Sequence, residues 1–164
     1  NHSVALKSDG SLVSWGDDTF GVVSNTPTIN DFIQVSAGGG FSVALKSDGS
    51  LVSWGVDWYG QISNTPVGTG YTQVSAGQSY AVALTLGGLL TCWGIDDYGQ
   101  VSNIPNSTDF TQVSAGTNHL VALKSDGSLV SWGSDVYGQV SNTPTTNDFR
   151  QVAAGGNHSV AIRF

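Results

Sequence analysis

Residues 40–62 read G-F-S-V-A-L-K-S-D-G-S-L-V-S-W-G-V-D-W-Y-G-Q-I and contain the pattern that decides the fold. Two short apolar stretches, V-A-L and L-V-S-W-G, flank the turn triplet S-D-G. An Asp-Gly pair between such stretches predicts a tight turn, because both residues tolerate a positive φ. The segment therefore predicts an antiparallel β-hairpin.

The same pattern recurs along the chain every 39 residues. A fifth V-A-I/L triplet begins at Val160, close to the C-terminus. We therefore divide the single domain 1–164 into repeats 1–39, 40–78, 79–117 and 118–156, followed by a surplus strand at 157–164. The W-G pairs that define this spacing are Trp15-Gly16, Trp54-Gly55, Trp93-Gly94 and Trp132-Gly133.

Each repeat predicts four short strands. They are F-x-Q-V-S-A-G (as at 32–38), S-V-A-L-K (42–46), S-L-V-S-W-G (50–55) and G-Q-V-S-N (138–142), the last ended by a T-P pair. A period near 40 residues with several strands per unit is typical of β-propellers. We expect an all-β fold of propeller blades, made of four tandem four-stranded repeats plus one extra C-terminal strand.

The composition limits the classes of partner. The net charge is −7, with no Glu, 12 Asp and only 5 Lys and Arg. Such an acidic chain does not suit phosphate backbones or anionic membranes, so we expect neither nucleic-acid binding nor membrane insertion. Cys92 is the single cysteine, which excludes an intrachain disulfide.

The repeat consensus A-G-G-x-H-S-V-A-L-K-S-D-G-S-L-V-S-W-G-x-D-x-Y-G-Q-V resembles the regulator of chromosome condensation repeat, and the resemblance covers the whole chain. The short 39-residue form is similar to bacterial members of that superfamily and to the propeller-type β-lactamase inhibitory protein. The resemblance implies a propeller, usually of seven blades, whose function is carried by loops on one face. It implies no single activity, because the fold serves exchange factors, inhibitors and scaffolds.

Catalytic and metal-binding patterns are weak in this sequence. It contains no G-x-S-x-G motif, no C-x-x-C motif and no phosphate-binding glycine loop. The three histidines occupy one repeat position that other repeats fill with Phe41 and Tyr80, which favours a packed flat ring over a metal ligand. We therefore expect a non-enzyme without cofactor or metal; the histidines concerned are His2, His119 and His158.

One acid follows the W-G pair in each repeat, and four carboxylates in a ring could attract a cation. Single acids one blade apart lack the dense oxygen spacing of a calcium loop. An Asp after a strand more often caps a turn with its own side chain, so we favour turn capping for Asp17, Asp57, Asp96 and Asp135.

Two loops vary between repeats whose strands are nearly copied. One follows the W-G pair and the other precedes strand two, and strand alternation places both at the same end of each blade. Aromatic anchors of this kind are used in protein and sugar recognition, although the tyrosines of the first loop could instead be packing residues. The predicted binding ring comprises Asp18, Phe20, Phe41, Asp57, Trp58, Tyr59, Tyr80, Asp97, Tyr98, His119, Asp135 and Tyr137.

A third variable segment, rich in Ser and Thr, follows each T-P pair and is expected at the opposite end. Asn106 begins an N-x-S/T triplet and is a candidate for N-glycosylation. The threonines beside proline are candidates for O-glycosylation: Thr26, Thr65 and Thr143.

The chain starts at a strand two and ends with a strand one followed by a second strand two. We expect this surplus strand to pair with another copy of the chain, which gives a structural, self-assembling protein of a cell surface or the extracellular space. Excision from a longer array would explain the same ends. The alternative function is a monomeric module that binds a protein or glycan through the ring. The expected assembly residues are Ser3, Val4, Leu6, His158, Val160 and Ile162.

Overall fold

The computed structural model describes residues 1–163, in which every regular element is a β-strand. The strands form five antiparallel sheets, β1-β2, β3-β4-β5, β6-β7-β8, β9-β10-β11 and β12-β13. Their bounds are β1 (His2–Leu6), β2 (Leu12–Gly16), β3 (Phe32–Ala37), β4 (Phe41–Lys46), β5 (Leu51–Gly55), β6 (Tyr71–Ala76), β7 (Tyr80–Thr85), β8 (Leu90–Gly94), β9 (Phe110–Ala115), β10 (His119–Lys124), β11 (Leu129–Gly133), β12 (Phe149–Ala154) and β13 (Ser159–Arg163).

The predicted hairpin is confirmed in every complete blade. In the blade β3-β4-β5, Leu45 pairs with Leu51 across the S-D-G turn. Gly49 has φ 81°, and a Cβ there would lie 2.6 Å from the backbone nitrogen of Gly70, so the turn requires glycine. The Ser50 N–H donates to Asp48 Oδ1 at 2.9 Å, which closes the turn with the side chain of its own Asp.

The predicted fourth strand is wrong. The G-Q-V-S-N stretch is a compact turn in each repeat where the structure describes it. In the second repeat Asp57 Oδ1 accepts hydrogen bonds from the Ile62 and Ser63 N–H groups, and the Asn64 N–H donates to the Gly60 carbonyl. These donors are therefore not available to a neighbouring strand, and each complete blade has three strands.

The blades pack face to face, so their central strands are buried on both sides. Five of the six residues of β4, β7 and β10 are buried. Each tryptophan of a third strand also donates its indole N–H to the turn of the preceding blade: Trp54 to Val22, Trp93 to Gln61 and Trp132 to Gln100, at 2.9–3.0 Å. Apolar contact and these buried hydrogen bonds therefore hold successive blades together in chain order.

The inner strands β3, β6, β9 and β12 lie next to one another and line a shared cavity of about 630 Å³. The F-x-Q-V-S-A-G pattern explains how they are held. Its Gln and Ser accept hydrogen bonds from backbone N–H groups of the next inner strand, so an edge that would otherwise be unpaired is satisfied. The Gln contacts are Val74 N to Gln34, Val113 N to Gln73 and Val152 N to Gln112.

The first and last sheets have two strands each. The hairpin β1-β2 has no inner strand, and β13 pairs only with β12 among the described residues. The surplus strand predicted over 157–164 is observed as β13, while its last residue, Phe164, lies outside the described residues. Within residues 1–163 no helix is long and apolar enough to span a bilayer.

Candidate functional site

The two variable loops meet at one end of each blade, as expected from strand alternation. The residue after each W-G pair donates its backbone N–H to the loop that precedes strand two: Val56 to Gly40, Ile95 to Ser79 and Ser134 to Asn118, at 2.8–2.9 Å. We call this the loop end of the blade. The S-D-G turns and the segments after T-P lie at the other end, the turn end, where the Ser47 N–H donates to the Asp31 carbonyl.

One aspartate per repeat builds the turn that carries the loop residues. Asp57 and Asp135 each accept two backbone N–H groups from five and six residues further on. In the first repeat this role belongs to Asp18 rather than to Asp17, which instead accepts from Thr19. Donation from Ser63 and Ile62 lowers the pKa of Asp57, so its carboxylate stays ionised at neutral pH.

Aromatic side chains project from this turn into solvent. Trp58 and Tyr137 are each 71% exposed, and Phe20, Tyr59 and Tyr98 are between 41% and 48% exposed. Together with the neighbouring exposed acids they form a surface that we call the loop ring. The loop ring consists of Asp18, Phe20, Asp57, Trp58, Tyr59, Asp97, Tyr98, Asp135 and Tyr137.

Three residues of the predicted binding ring are not part of the exposed surface. Phe41, Tyr80 and His119 are fully buried between blades. The Tyr80 hydroxyl donates to the His119 carbonyl at 2.6 Å, and His119 Nε2 contacts Ser159 Oγ at 2.9 Å. The burial follows from their position at the start of strand two, where the next blade covers the ring, so a partner has no access to them.

A cleft opens among the loops of the first three blades. It has a volume of about 190 Å³, and its lining includes Phe20, Trp58, Gly39, Gly40 and Gln78. The two aromatic rings meet edge to face with centroids 5.1 Å apart. Sequence reasoning missed the glycines, although the repeat comparison contained the signal: Gly40 stands where later repeats have Ser79 and Asn118.

Charge is divided unequally between the two ends. Six of the 12 aspartates lie at the loop end, and no Lys or Arg lies there. All five Lys and Arg side chains lie at the turn end, at the last residues of strand two or the first of strand one, and three of them pair with Asp: Lys46 with Asp31, Lys124 with Asp109 and Arg163 with Asp148. The loop end therefore carries nearly all of the net negative charge.

The candidate glycosylation residues occupy two different environments. Asn106 is exposed. The three threonines are half-buried and their hydroxyls donate within the fold, as in the bond from Thr65 Oγ1 to Ser53 Oγ at 2.8 Å. Thr26 makes the equivalent bond to Ser14, whereas Thr143 donates to the backbone carbonyl of Val140.

The expected assembly residues lie on the two terminal blades. Val4 and Leu6 of β1 pack against the core cluster around Phe32. On β13, Val160 is 58% and Ile162 is 47% exposed. Ser3 and His158 are also exposed.

Two observations concern metal-binding and nucleophilic side chains. Among the described residues, no three side chains of His, Cys, Asp or Glu lie close enough to hold a metal ion. Burial raises the pKa of the Cys92 thiol, which keeps it protonated and poorly nucleophilic.

Several solved structures have folds similar to that of the chain. The ectodomain of the Physcomitrella patens receptor kinase CR4 is 23% identical with a TM-score of 0.84, covering 99% of this chain and 46% of that one. The CRINKLY WD40 ectodomain of the Arabidopsis thaliana receptor kinase ACR4 is 26% identical with a TM-score of 0.82, and the match covers 99% of this chain and 63% of that one. The crystal structure of Kap60 bound to yeast RCC1 (Prp20) is 22% identical with a TM-score of 0.78, and the match covers 99% of this chain and 52% of that one. The chain thus spans less than two thirds of the length of these structures.

Sequence comparison identifies the repeat itself. No curated protein matches the chain. The regulator of chromosome condensation (RCC1) repeat matches residues 1–22, 32–61, 71–100 and 110–139, which together make up more than half of the chain. The chain belongs to the regulator of chromosome condensation (RCC1) repeat family.

Proposed function

We propose that this chain is a non-catalytic protein-binding module whose loop ring contacts the partner. The observation that carries the proposal is the exposure of Trp58 and Tyr137, each 71%, at an end where other aromatic rings, such as Tyr80 at the start of strand two, are fully buried. Large aromatic side chains exposed together are enriched at interaction sites, because they bury much area at a small entropic cost.

The relatives support a protein as the partner and leave the location to be tested. Yeast RCC1 (Prp20) has been crystallised with Kap60, and Prp20p of Saccharomyces cerevisiae has been studied for binding to Gsp1p and histones. The two plant structures are receptor kinase ectodomains. We propose an extracellular or cell-surface location for this chain by analogy with them, and a glycan remains the second class of ligand to be tested.

A selection from a random peptide library tests the proposed surface. Peptides that bind the chain should lose affinity for the Trp58→Ala and Tyr137→Ala variants, by about 2 kcal/mol for each aromatic anchor. Matched controls exist at the turn end, where Val67 and Leu86 are 96% and 84% exposed. Val67→Ala and Leu86→Ala should leave binding unchanged.

The same selection defines the contradicting outcome. Circular dichroism confirms that each variant remains folded. If the selected peptides bind Trp58→Ala and Tyr137→Ala as tightly as the unaltered chain, the loop ring is not the binding surface.

Head-to-tail self-association is the second candidate function. The specific observation is that the outward faces of the terminal blades expose apolar residues, including Trp15 at 53% and Val160 at 58%. Either further blades of the same polypeptide or a second copy would cover these faces. Light scattering of the 164-residue chain, with and without residues 157–164, tests whether a second copy covers these faces. Assembly that depends on those residues supports association, and a monomer at all concentrations contradicts it.

A further inference from the structure

We propose that the loop ring recognises a lysine- or arginine-rich segment of its protein partner. This inference rests on the proposed function and names the chemistry of the partner. Three features coincide at the loop end of the blades. Aromatic rings and ionised carboxylates are exposed there, and none of the Lys and Arg among the described residues lies at this end.

The charge distribution selects a cationic partner. Six carboxylates face solvent at the loop end, where no Lys or Arg lies and only Asp17 has the N-terminal ammonium and His2 nearby. The six carboxylates at the turn end lie among all five Lys and Arg. A surface of one sign attracts the opposite charge over a Debye length and repels its own sign. An acidic partner segment would therefore be disfavoured at this end, and a basic one favoured.

The carboxylates remain able to pair with a ligand although they also hold the turns. Asp18 and Asp57 each use Oδ1 to accept backbone N–H groups. These bonds hold the pKa of Asp18 and Asp57 below the ordinary value, so both stay charged. Their Oδ2 atoms accept no hydrogen bond within residues 1–163, and both aspartates are exposed residues. A guanidinium or ammonium group can bind there without competing with the fold.

The aromatic cleft supplies the second contact that a basic side chain needs. Phe20 and Trp58 form its wall, and each lies one or two residues after an acid of the loop ring, Asp18 or Asp57. An arginine or lysine can bury its methylene stem against Gly39 and Gly40 and place its charge over an indole face. A neutral segment would gain only the apolar part of this contact.

Capped octapeptides that alternate glycine with arginine, glutamine or glutamate test the proposal by calorimetry. We expect the arginine peptide to bind, the glutamine peptide to bind about tenfold more weakly, and the glutamate peptide not to bind. Raising the salt from about 50 mM to about 500 mM should weaken the arginine peptide most.

Two double variants of equal net charge locate the effect. Asp18→Asn with Asp57→Asn keeps an acceptor oxygen for each turn but removes two charges from the loop end. Asp48→Asn with Asp126→Asn does the same at the turn end, where each Asp holds its own S-D-G turn. We expect about a fivefold loss of affinity for the arginine peptide in the first pair and less than about twofold in the second.

The outcomes separate this inference from the proposed function. Equal losses in the two double variants, or a glutamine peptide that binds as tightly as the arginine peptide, would overturn the preference for a basic segment. If none of the octapeptides binds while library peptides still depend on Trp58, the charge preference is wrong and the loop ring stands as the binding surface. If library peptides do not depend on Trp58, the proposed function itself fails.

Discussion

A single position at the start of strand two shows how neighbouring blades recognise each other. The ring at this position contacts the residue 40 places later, on strand two of the next blade. His2 and His119 bond to the hydroxyls of Ser42 and Ser159, and the remaining pairs pack without such a bond. The residues at the two positions differ from blade to blade: Phe41 shares a core cluster with Ala81, and Tyr80 shares one with Leu120.

Acid sensitivity is the measurable consequence of burying His119. Burial lowers its pKa below 6.5, with a smaller effect of His158, so the folded chain binds fewer protons here than the unfolded chain. Stability contributed by the neutral ring is complete above about pH 6.5 and is lost as the pH falls below it. We expect His119→Phe to flatten the decline in unfolding free energy as the pH falls below about 6.5, measured by urea denaturation.

The aspartates, whose contributions to stability are lost at a lower pH than that of His119, provide an internal control for this measurement. Hydrogen bonds from Ser63 and Ile62 lower the pKa of Asp57 below 3.8, so its contribution is lost only at more acidic pH. If the unfolding free energy declines equally in His119→Phe and in the unaltered chain as the pH falls below about 6.5, His119 is not the source of the decline.

Inner strands depend on side chains of the preceding blade to satisfy one edge. The Val152 N–H donates to Gln112 Oε1 at 2.9 Å, and the Ala154 N–H donates to Ser114 Oγ. Gln151 stands at the same position of β12, is exposed, and accepts no backbone bond within residues 1–163. The same residue type therefore has two different roles, set by whether a further inner strand follows.

Gln112→Ala should lower the free energy of unfolding by about 1–2 kcal/mol, because the Val152 N–H loses its acceptor. Gln151→Ala should change it by less than about 0.5 kcal/mol, as surface substitutions usually do. Chemical denaturation of both variants checks the pair. Equal effects would mean that the bond between inner strands does not contribute to stability.

The G-Q-V-S-N stretch, predicted as a fourth strand and observed as a turn, shows that residue patterns do not always predict the type of an element. The alternation in G-Q-V-S-N is that of a strand, and a terminal T-P pair is compatible with one. The Asp three residues before this stretch decides otherwise, because its carboxylate accepts the N–H groups that a sheet would need. A side chain competing for the backbone cannot be recognised from hydrophobic periodicity.

The position of a blade in the array decides what its tryptophan contributes. Trp132 is 5% exposed and donates to the Gln100 carbonyl, whereas Trp15, in an identical L-V-S-W-G strand, is 53% exposed. Trp132→Ala should lower the unfolding free energy by about 3–5 kcal/mol, as for large-to-small changes in a core. Trp15→Ala should lower the unfolding free energy much less, unless a neighbouring copy of the chain covers Trp15.

Thermal unfolding at low and high protein concentration completes this comparison. A cost of Trp15→Ala that grows with concentration would indicate association through the first blade. A cost as large as that of Trp132→Ala at every concentration would contradict the exposed position of Trp15.

The sequence by itself determined the 39-residue period, the S-D-G hairpins, the all-β class and the end of the blade at which the variable loops meet. These features follow from local turn chemistry and from alternation within a strand, which act over a few residues. Only the tertiary structure decided which aromatic rings are accessible. Tyr59 and Tyr80 are equally aromatic and both belong to variable segments, yet Tyr59 is 48% exposed and Tyr80 is buried. The next blade covers one and not the other, and its contact comes from residues about 40 positions away, which no local pattern specifies.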